Sequence, residues 1–332
     1  MNIKKNSGIY EEMRRILFCT NLSIKHTFLR YKIISLSVTS IKSIDLPDVQ
    51  SRLAPAHFKL TRVGVTGVKK LVHIKRPNKE SVLPLTVTMD LFVDLPASQK
   101  GSHMSRNLEL VSEIIDQTLK SPVPDLESFC AETAELLLKK HEYATFSEVK
   151  AEADYFLDVK YPSGQKGSEP YKLVAEARAK SNGELKKLIG VKAIGMTACP
   201  CAMEVIRKID SRDKNCSAPT HNQRNVGTLI MEVPRGTEVV DADDLISIVE
   251  KSFSSPTYSI LKRREEAELV LRAHAKPKFV EDVVRDILSA VLKRYKDLPD
   301  DVLVIARSES EESIHKHNAF AERVTTLGEL RK

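Results

Sequence analysis

Between Leu85 and Leu95 the chain alternates without a slip. Leu85, Val87, Met89, Leu91, Val93 and Leu95 fall on one side, and Thr86, Thr88, Asp90 and Asp94 on the other. A strict period of two excludes a helix, whose apolar stripe recurs at about 3.6, and specifies a strand with one face on a core. Strands of parallel sheets are covered on both faces and lose this alternation, so the partner strands are antiparallel. The segment before it, Phe58 to Ile74, is also β-branched and alternating, with Gly64 and Gly67 placed for a bulge or a close backbone approach. A loop at Arg76-Pro77-Asn78 joins the two.

After Pro96 the period changes. Leu108, Val111, Ile114, Ile115 and Leu119 recur at helical spacing, and a second helical pattern runs from Leu126 through Leu136, Leu137 and Leu138. Two strands follow, near 144–159 and 171–179, around a Pro162-Ser163-Gly164 turn. The second half repeats this order. Leu188 to Thr197 and Val226 to Val233 read as paired strands, and Asp241 stands as N-cap before Leu245, Ile248, Val249 and Phe253. A helix from about Lys278 carries Val283, Val284, Ile287, Leu288, Val291 and Leu292, and strands at 301–306 and 319–325 close the chain. Each half is ββααββ, an antiparallel sheet with helices on one face: an α+β architecture built by duplication. The modules span 46–184 and 185–332. Residues 1–45, basic and without a sustained period, form a poorly ordered extension with no secretory core.

A formal net charge of +7 and a pI near 9.0 suit an anionic partner, although many basic proteins bind none in particular. No apolar run reaches the roughly 18 residues a membrane helix needs. Tryptophan is absent, aromatics are 5%, and no nucleic-acid-binding motif occurs, so neither a membrane nor a nucleic acid is the expected partner. Five scattered cysteines do not form a disulfide framework and point to a reducing cytoplasm.

The chemistry gathers at Cys199-Pro200-Cys201 and His221-Asn222-Gln223-Arg224. Thiolate and imidazole are ligands for Zn²⁺ and Fe²⁺, but C-x-C is not the knuckle of a four-cysteine structural site, and no second pair exists. Any ion here draws other ligands from histidines and carboxylates, as an open catalytic site does. The two cysteines read as a loop after a strand. Cys19, Cys130 and Cys216 read as small buried hydrophobes. His315 and His317 share a face if they lie on a strand; on a turn, one can serve while the other is solvated. Glu265 and Glu266 follow Lys262-Arg263-Arg264, where a solvated charged turn is the plain alternative. Glu281 opens a helix, which the helix dipole alone would explain. Lys100, His103, Ser105 and Arg106 form a cationic loop able to hold phosphates, or merely a solvated one.

In combination these motifs resemble one family. Lys100-Gly-Ser-His103-Met104-Ser105-Arg106, Met196-Thr-Ala-Cys199-Pro-Cys201, His221-Asn-Gln-Arg224, Leu261-Lys-Arg, Lys278-Phe-Val-Glu281-Asp and Ile314-His315-Lys-His317 occur in the order found in the type IB GTP cyclohydrolases. Leu46 to Gln50 and Leu60 to Lys69 resemble its archaeal MptA-like branch, and the resemblance covers about 46–323. It implies tandem tunnelling-fold (T-fold) modules, a homotetramer with active sites at subunit interfaces, GTP as substrate, and one divalent metal per subunit, with Fe²⁺ favoured and Zn²⁺ or Mn²⁺ able to substitute. The implied reaction opens the guanine imidazole ring, releases formate and yields 7,8-dihydroneopterin 2′,3′-cyclic phosphate for methanopterin-type pterins; the folate branch yields the triphosphate instead. By the same resemblance Cys199, His221, Glu266 and His315 are metal ligands, and Cys199, Cys201 and His221 are catalytic, with Cys201 a proton-transferring thiol. Glu281 holds the guanine edge, and Lys100, His103, Ser105 and Arg106 meet ribose and triphosphate. Where the family often has Lys-Arg-Pro-Asp-Glu this chain has Lys262-Arg263-Arg264-Glu265-Glu266, which leaves Glu265 and Glu266 as alternatives. The competing readings are another purine- or pterin-binding T-fold protein, a basic nucleic-acid binder, and a structural zinc role.

Overall fold

The computed structural model describes residues 47–75, 82–210, 218–234, 236 and 240–332. Residues 50–332 make up one unit of the chain, distinct from the segment up to Val49. The extension at 1–45, the loop at Arg76–Asn78, Cys19 and Cys216 lie outside the described residues.

The elements follow in the order β1 (Leu60–Ile74), β2 (Leu83–Leu95), α1 (Met104–Lys120), α2 (Leu126–Lys140), β3 (Phe146–Lys160), β4 (Lys166–Lys180) and β5 (Leu185–Ala198). Then come α3 (Pro200–Ile209), β6 (Asn222–Glu232), α4 (Ala242–Ser252), β7 (Ser255–Pro256), α5 (Arg263–Ala275), α6 (Val280–Arg294), β8 (Leu303–Ser310), β9 (Ala319–Thr326) and α7 (Leu327–Leu330). One antiparallel sheet runs in the order β1-β2-β3-β4-β5-β6-β8-β9, with β7 paired beside β5. Chain order and sheet order coincide because each strand returns beside its predecessor, and the helices cover one face.

The alternation in β2 has the predicted outcome. Leu85, Val87, Met89, Leu91, Val93 and Leu95 are all buried, and the first five share a core with Val149, Ala151, Leu173, Ala175, Val191, Leu229 and Val304 from the other strands. Leu110, Phe129, Leu245 and Ile287 of the helices close that core from above. The two glycines of β1 act as anticipated. Gly67 has φ +69° at a register shift between Val65 and Val68, a bulge. A Cβ on Gly64 would meet the Leu91 carbonyl oxygen at 1.8 Å, so only hydrogen fits there.

Three expectations change. Asp94 is buried rather than solvent-facing, because its carboxylate accepts hydrogen bonds from Thr145 N, Thr145 Oγ1 and Phe146 N and so ties β2 to the start of β3. Leu108 and Leu119 are exposed. The inward stripe of α1 is instead Asn107, Leu110, Val111, Ile114 and Thr118. Asn107 Oδ1 meets His141 Nε2 while its Nδ2 has no partner among the described residues, and Thr118 Oγ1 donates to the Ile115 carbonyl. The second half also carries two unanticipated helices, α3 inside its first hairpin and α5 before α6. Each buries too few apolar side chains to print a stripe: Met203 alone for α3, Leu269 and Ala273 for α5.

The antiparallel register defines two ends of the sheet. Leu60, Leu95, Phe146, Lys180, Leu185, Glu232, Leu303 and Thr326 mark one, and Ile74, Leu83, Ala198, Asn222, Ser310 and Ala319 mark the other.

Candidate active site

At the second end β5 stops at Ala198 and the chain turns directly into α3. Pro200 starts that helix, where its fixed φ fits and its missing N–H costs nothing. Cys199 is the N-cap, its Sγ accepting from Ala202 N at 3.5 Å as a serine oxygen commonly does. The cysteines are therefore not in a loop. Cys199 caps a helix, with the positive end of the helix dipole aimed at its sulfur, and Cys201 is exposed in the first turn.

His221 lies beside Cys199, one residue outside β6. Cys199 N donates to His221 O at 3.0 Å, and Thr220 Oγ1 donates to Cys199 O at 2.7 Å. The segment after β8 comes to the same place, with Glu311 N donating to Arg224 O at 2.9 Å. His315 sits on the following turn with its ring centroid 6.5 Å from that of His221, and the His317 ring stacks on His315 at 5.2 Å. The H-x-H pair thus occupies a turn, and His315 is the member facing His221.

The His221 ring is oriented from behind. Its Nδ1 is 2.9 Å from Gln223 Oε1, while Gln223 Nε2 donates to Glu312 Oε1 at 3.3 Å and Thr197 Oγ1 at 3.5 Å. With the amide nitrogen committed to those acceptors, the amide oxygen accepts from His221 Nδ1–H, and the Nε2 lone pair is left for a ligand. Glu312 Oε2 stands 3.7 Å from the same Nδ1, and Ser310 Oγ donates to Glu312 Oε1 at 2.8 Å. Sequence reasoning did not single out Glu312. Its spacing of two from Ser310, at the end of a strand, was the available signal.

Glu281 is exposed in the first turn of α6, and that turn is tied to the site because Lys278 N donates to Ala198 O at 3.0 Å. The carboxylates of α5 divide. Glu265 Oε2 accepts from Lys262 N at 2.8 Å and caps the helix, whereas Glu266 is exposed. Both therefore lie on a helix, not on a charged turn. Cysteine sulfur and an open imidazole nitrogen are donors that Fe²⁺ and Zn²⁺ accept, so Cys199 and His221 fit such an ion, with His315 close by. Among the described residues no three His, Cys, Asp or Glu side chains already stand as a ligand set.

Lys100, His103, Ser105 and Arg106 are not part of this cluster. They follow β2 at the first end of the sheet, and they are not one loop: Lys100 precedes α1, His103 is its N-cap, and Ser105 and Arg106 stand in its first turn. β5 alone, with 14 residues, spans roughly 45 Å between the ends. A cavity of about 480 Å³ also opens at the first end, lined by Arg62, Arg178, Lys180, Lys186, Glu232 and Asp301 among others. Its cations are already paired, Arg62 with Glu148, Lys180 with Glu184 and Lys186 with Glu232, and it holds none of the candidate residues.

The profile of the family described as type I GTP cyclohydrolase folE2 matches residues 46–321. The GTP cyclohydrolase MptA of Methanobrevibacter smithii is 44% identical over 308 residues, covering 87% of this chain and 98% of that protein. Those of Methanosarcina mazei and Methanocaldococcus jannaschii are 43% and 42% identical, covering 87% and 86% of this chain and 98% and 96% of their own. Among solved structures, the uricase from Arthrobacter globiformis aligns with a TM-score of 0.48 at 10% identity, over 80% of this chain and 93% of that one, a likeness too low to bear on the chemistry. With the family profile matched from 46 to 321, and with relatives of this identity along nearly their whole length, the chain belongs to the type I GTP cyclohydrolase family.

Proposed function

We propose that this GTP cyclohydrolase opens the guanine ring of GTP at C8, releases formate and forms 7,8-dihydroneopterin 2′,3′-cyclic phosphate. The cyclisation expels diphosphate, since one phosphorus stays in the ring. The observation that carries this reading is the convergence of Cys199, His221 and His315 at one end of the sheet, in a chain whose relatives are named MptA. The ligands of the divalent ion, Fe²⁺ in preference to Zn²⁺ or Mn²⁺, are Cys199, His221, Glu266 and His315. Bound there, such an ion would supply Lewis acidity, lowering the pKa of water to about 7.

The protein groups do the rest. Gln223 and Glu312 hold His221 in the tautomer that offers Nε2. Cys201, exposed one residue into α3, gives and takes protons as ring nitrogens become amines. Glu281 accepts from guanine N1–H and the 2-amino group, and its tether to Ala198 fixes the base relative to Cys199.

Lys100, His103, Ser105 and Arg106 bind ribose and triphosphate, but they stand at the opposite end of the sheet from Cys199 in the same chain. A site using both sets takes them from two subunits, which supports interface sites in a homotetramer. Exposed apolar side chains near the cluster, among them Ile209 on α3 and Leu271 on α5, support the same assembly. The modules divide at the turn before Leu185, and the enzyme works in the cytoplasm.

Anaerobic incubation with GTP and Fe²⁺, following formate and identifying the pterin by mass, tests the reading. Formate with the cyclic phosphate supports it, and formate with a triphosphate pterin moves the product to the folate type. No formate from folded protein loaded with Fe²⁺, Zn²⁺ or Mn²⁺ would reject it.

A further inference from the structure

Three contacts from a single stretch of chain, the last residue of α2 and the three that follow, grip the cationic segment that leads into the first turn of α1. Arg106 Nη1 donates to the Lys140 carbonyl at 3.2 Å. His141 Nε2 lies 2.6 Å from Asn107 Oδ1, and Tyr143 Oη lies 2.8 Å from both His141 Nδ1 and Ser102 Oγ. Ser102, Asn107 and His141 are all buried. Burial, with the Arg106 and His103 charges nearby, pushes the His141 imidazole down to about 4, so the ring is neutral near pH 7.

A neutral ring gives the chain one direction. Asn107 Oδ1 can only accept, so His141 Nε2 carries the proton and Nδ1 accepts from the Tyr143 hydroxyl. Tyr143 Oη in turn accepts from Ser102 O–H. Ser102 and Asn107 bracket His103, Ser105 and Arg106, which leaves that segment clamped at both ends. Lys100 N and Gly101 N are separately bonded to Arg52 O and Gln50 O. Because His141 is uncharged, the cationic charge stays on side chains that reach solvent, Lys100 foremost.

We propose that Tyr143 and His141 are positioning residues for the polyphosphate of the substrate, holding Lys100, His103, Ser105 and Arg106 in the arrangement that binds it. This rests on the reading of that loop as the triphosphate contact. Neither residue touches the nucleotide; both act through the loop. Preorganised donors bind phosphate more tightly because ordering them costs nothing on binding.

The test uses the full-length, metal-loaded enzyme and compares Tyr143→Phe, His141→Gln, His141→Leu and Arg106→Ala. Tyr143→Phe keeps the ring and removes only the hydroxyl; it is expected to raise KM for GTP about fivefold, the value of one net hydrogen bond, with kcat within about twofold. Inhibition by guanosine, which has no phosphates, should not change. His141→Gln, which retains a donor and an acceptor, should stay close to wild type, and His141→Leu should follow Tyr143→Phe. An Arg106→Ala enzyme with raised KM beside an unchanged Tyr143→Phe enzyme would overturn the positioning role alone. Equal weakening of GTP and guanosine by Tyr143→Phe would overturn it too, because a general loss of structure does that. An unchanged KM in Arg106→Ala would remove the phosphate reading of the loop, and this inference with it.

Discussion

His221 and Gln223 are two residues apart at the start of β6, and their side chains meet through Nδ1 and Oε1 at 2.9 Å. Residues i and i+2 of a strand share a face, so the adjacency is a product of the pleat. The pair fixes the imidazole tautomer, because Gln223 spends its amide hydrogens on Thr197 and Glu312. Replacing the outer partner of a ligating histidine typically costs about 10- to 100-fold in metal affinity. Gln223→Ala should show that loss in a metal titration monitored by activity and by bound metal, while Gln223→Glu, which still accepts from Nδ1–H, should lose less.

The two cysteines should separate in their effects. Cys199→Ser removes a sulfur ligand, and bound metal and formate release should fall together. Cys201→Ser should keep its metal and lose about 10²-fold or more in kcat, the range for a missing proton donor or acceptor. Metal content measured beside single-turnover formate release distinguishes them. Loss of metal from the Cys201 variant would make that thiol a ligand instead.

Glu281 is exposed, so its replacement should leave thermal stability unchanged. Glu281→Gln removes the charge from hydrogen bonds worth about 1.5–3 kcal/mol each, predicting a loss of roughly 10- to 100-fold in kcat/KM for GTP. The preference for GTP over ITP, which lacks the 2-amino group, should collapse in the same variant. An intact preference would place the guanine contact elsewhere.

Glu127, in the first turn of α2, is a buried acid. Burial, with the Asp125 charge next to it, pushes its carboxyl up to about 8 from a reference near 4.5. Between those values the unfolded chain has released the proton and the folded chain keeps it, so the Glu127 contribution is fully present below 4.5 and is lost as pH rises through 8. Glu127→Gln removes this dependence. It should match wild type near pH 4.5 and be more stable by up to a few kcal/mol at about pH 8 and above, read from denaturant midpoints.

The half-buried strands were legible because the pleat writes itself into every second residue. Leu85 to Leu95 needed no other information, and Gly64 and Gly67 announced a close approach and a bulge that β1 contains. α3 and α5 were not legible, since helices that bury one or two side chains carry no stripe. Asp94 was assigned to the wrong environment for a related reason: alternation places a side chain on a face, but the Thr145 and Phe146 donors and the Lys59 ammonium at 2.8 Å make burial of a carboxylate tolerable there.

By itself the sequence determined the antiparallel sheet, its helical cover, and the residue types that serve as metal, base and phosphate groups. These are local properties, set by spacing and by what sulfur, imidazole, carboxylate and guanidinium can do. The tertiary structure decided which of them meet. Sheet register carries Cys199, His221 and His315 to one end and leaves Lys100 to Arg106, at the start of α1, at the other. Pairs far apart in the chain, such as Asn107 with His141 and Gln223 with Glu312, exist only once the helices have docked and the strands have aligned. Long-range contacts of that kind are products of packing, and no periodicity in a linear sequence encodes them.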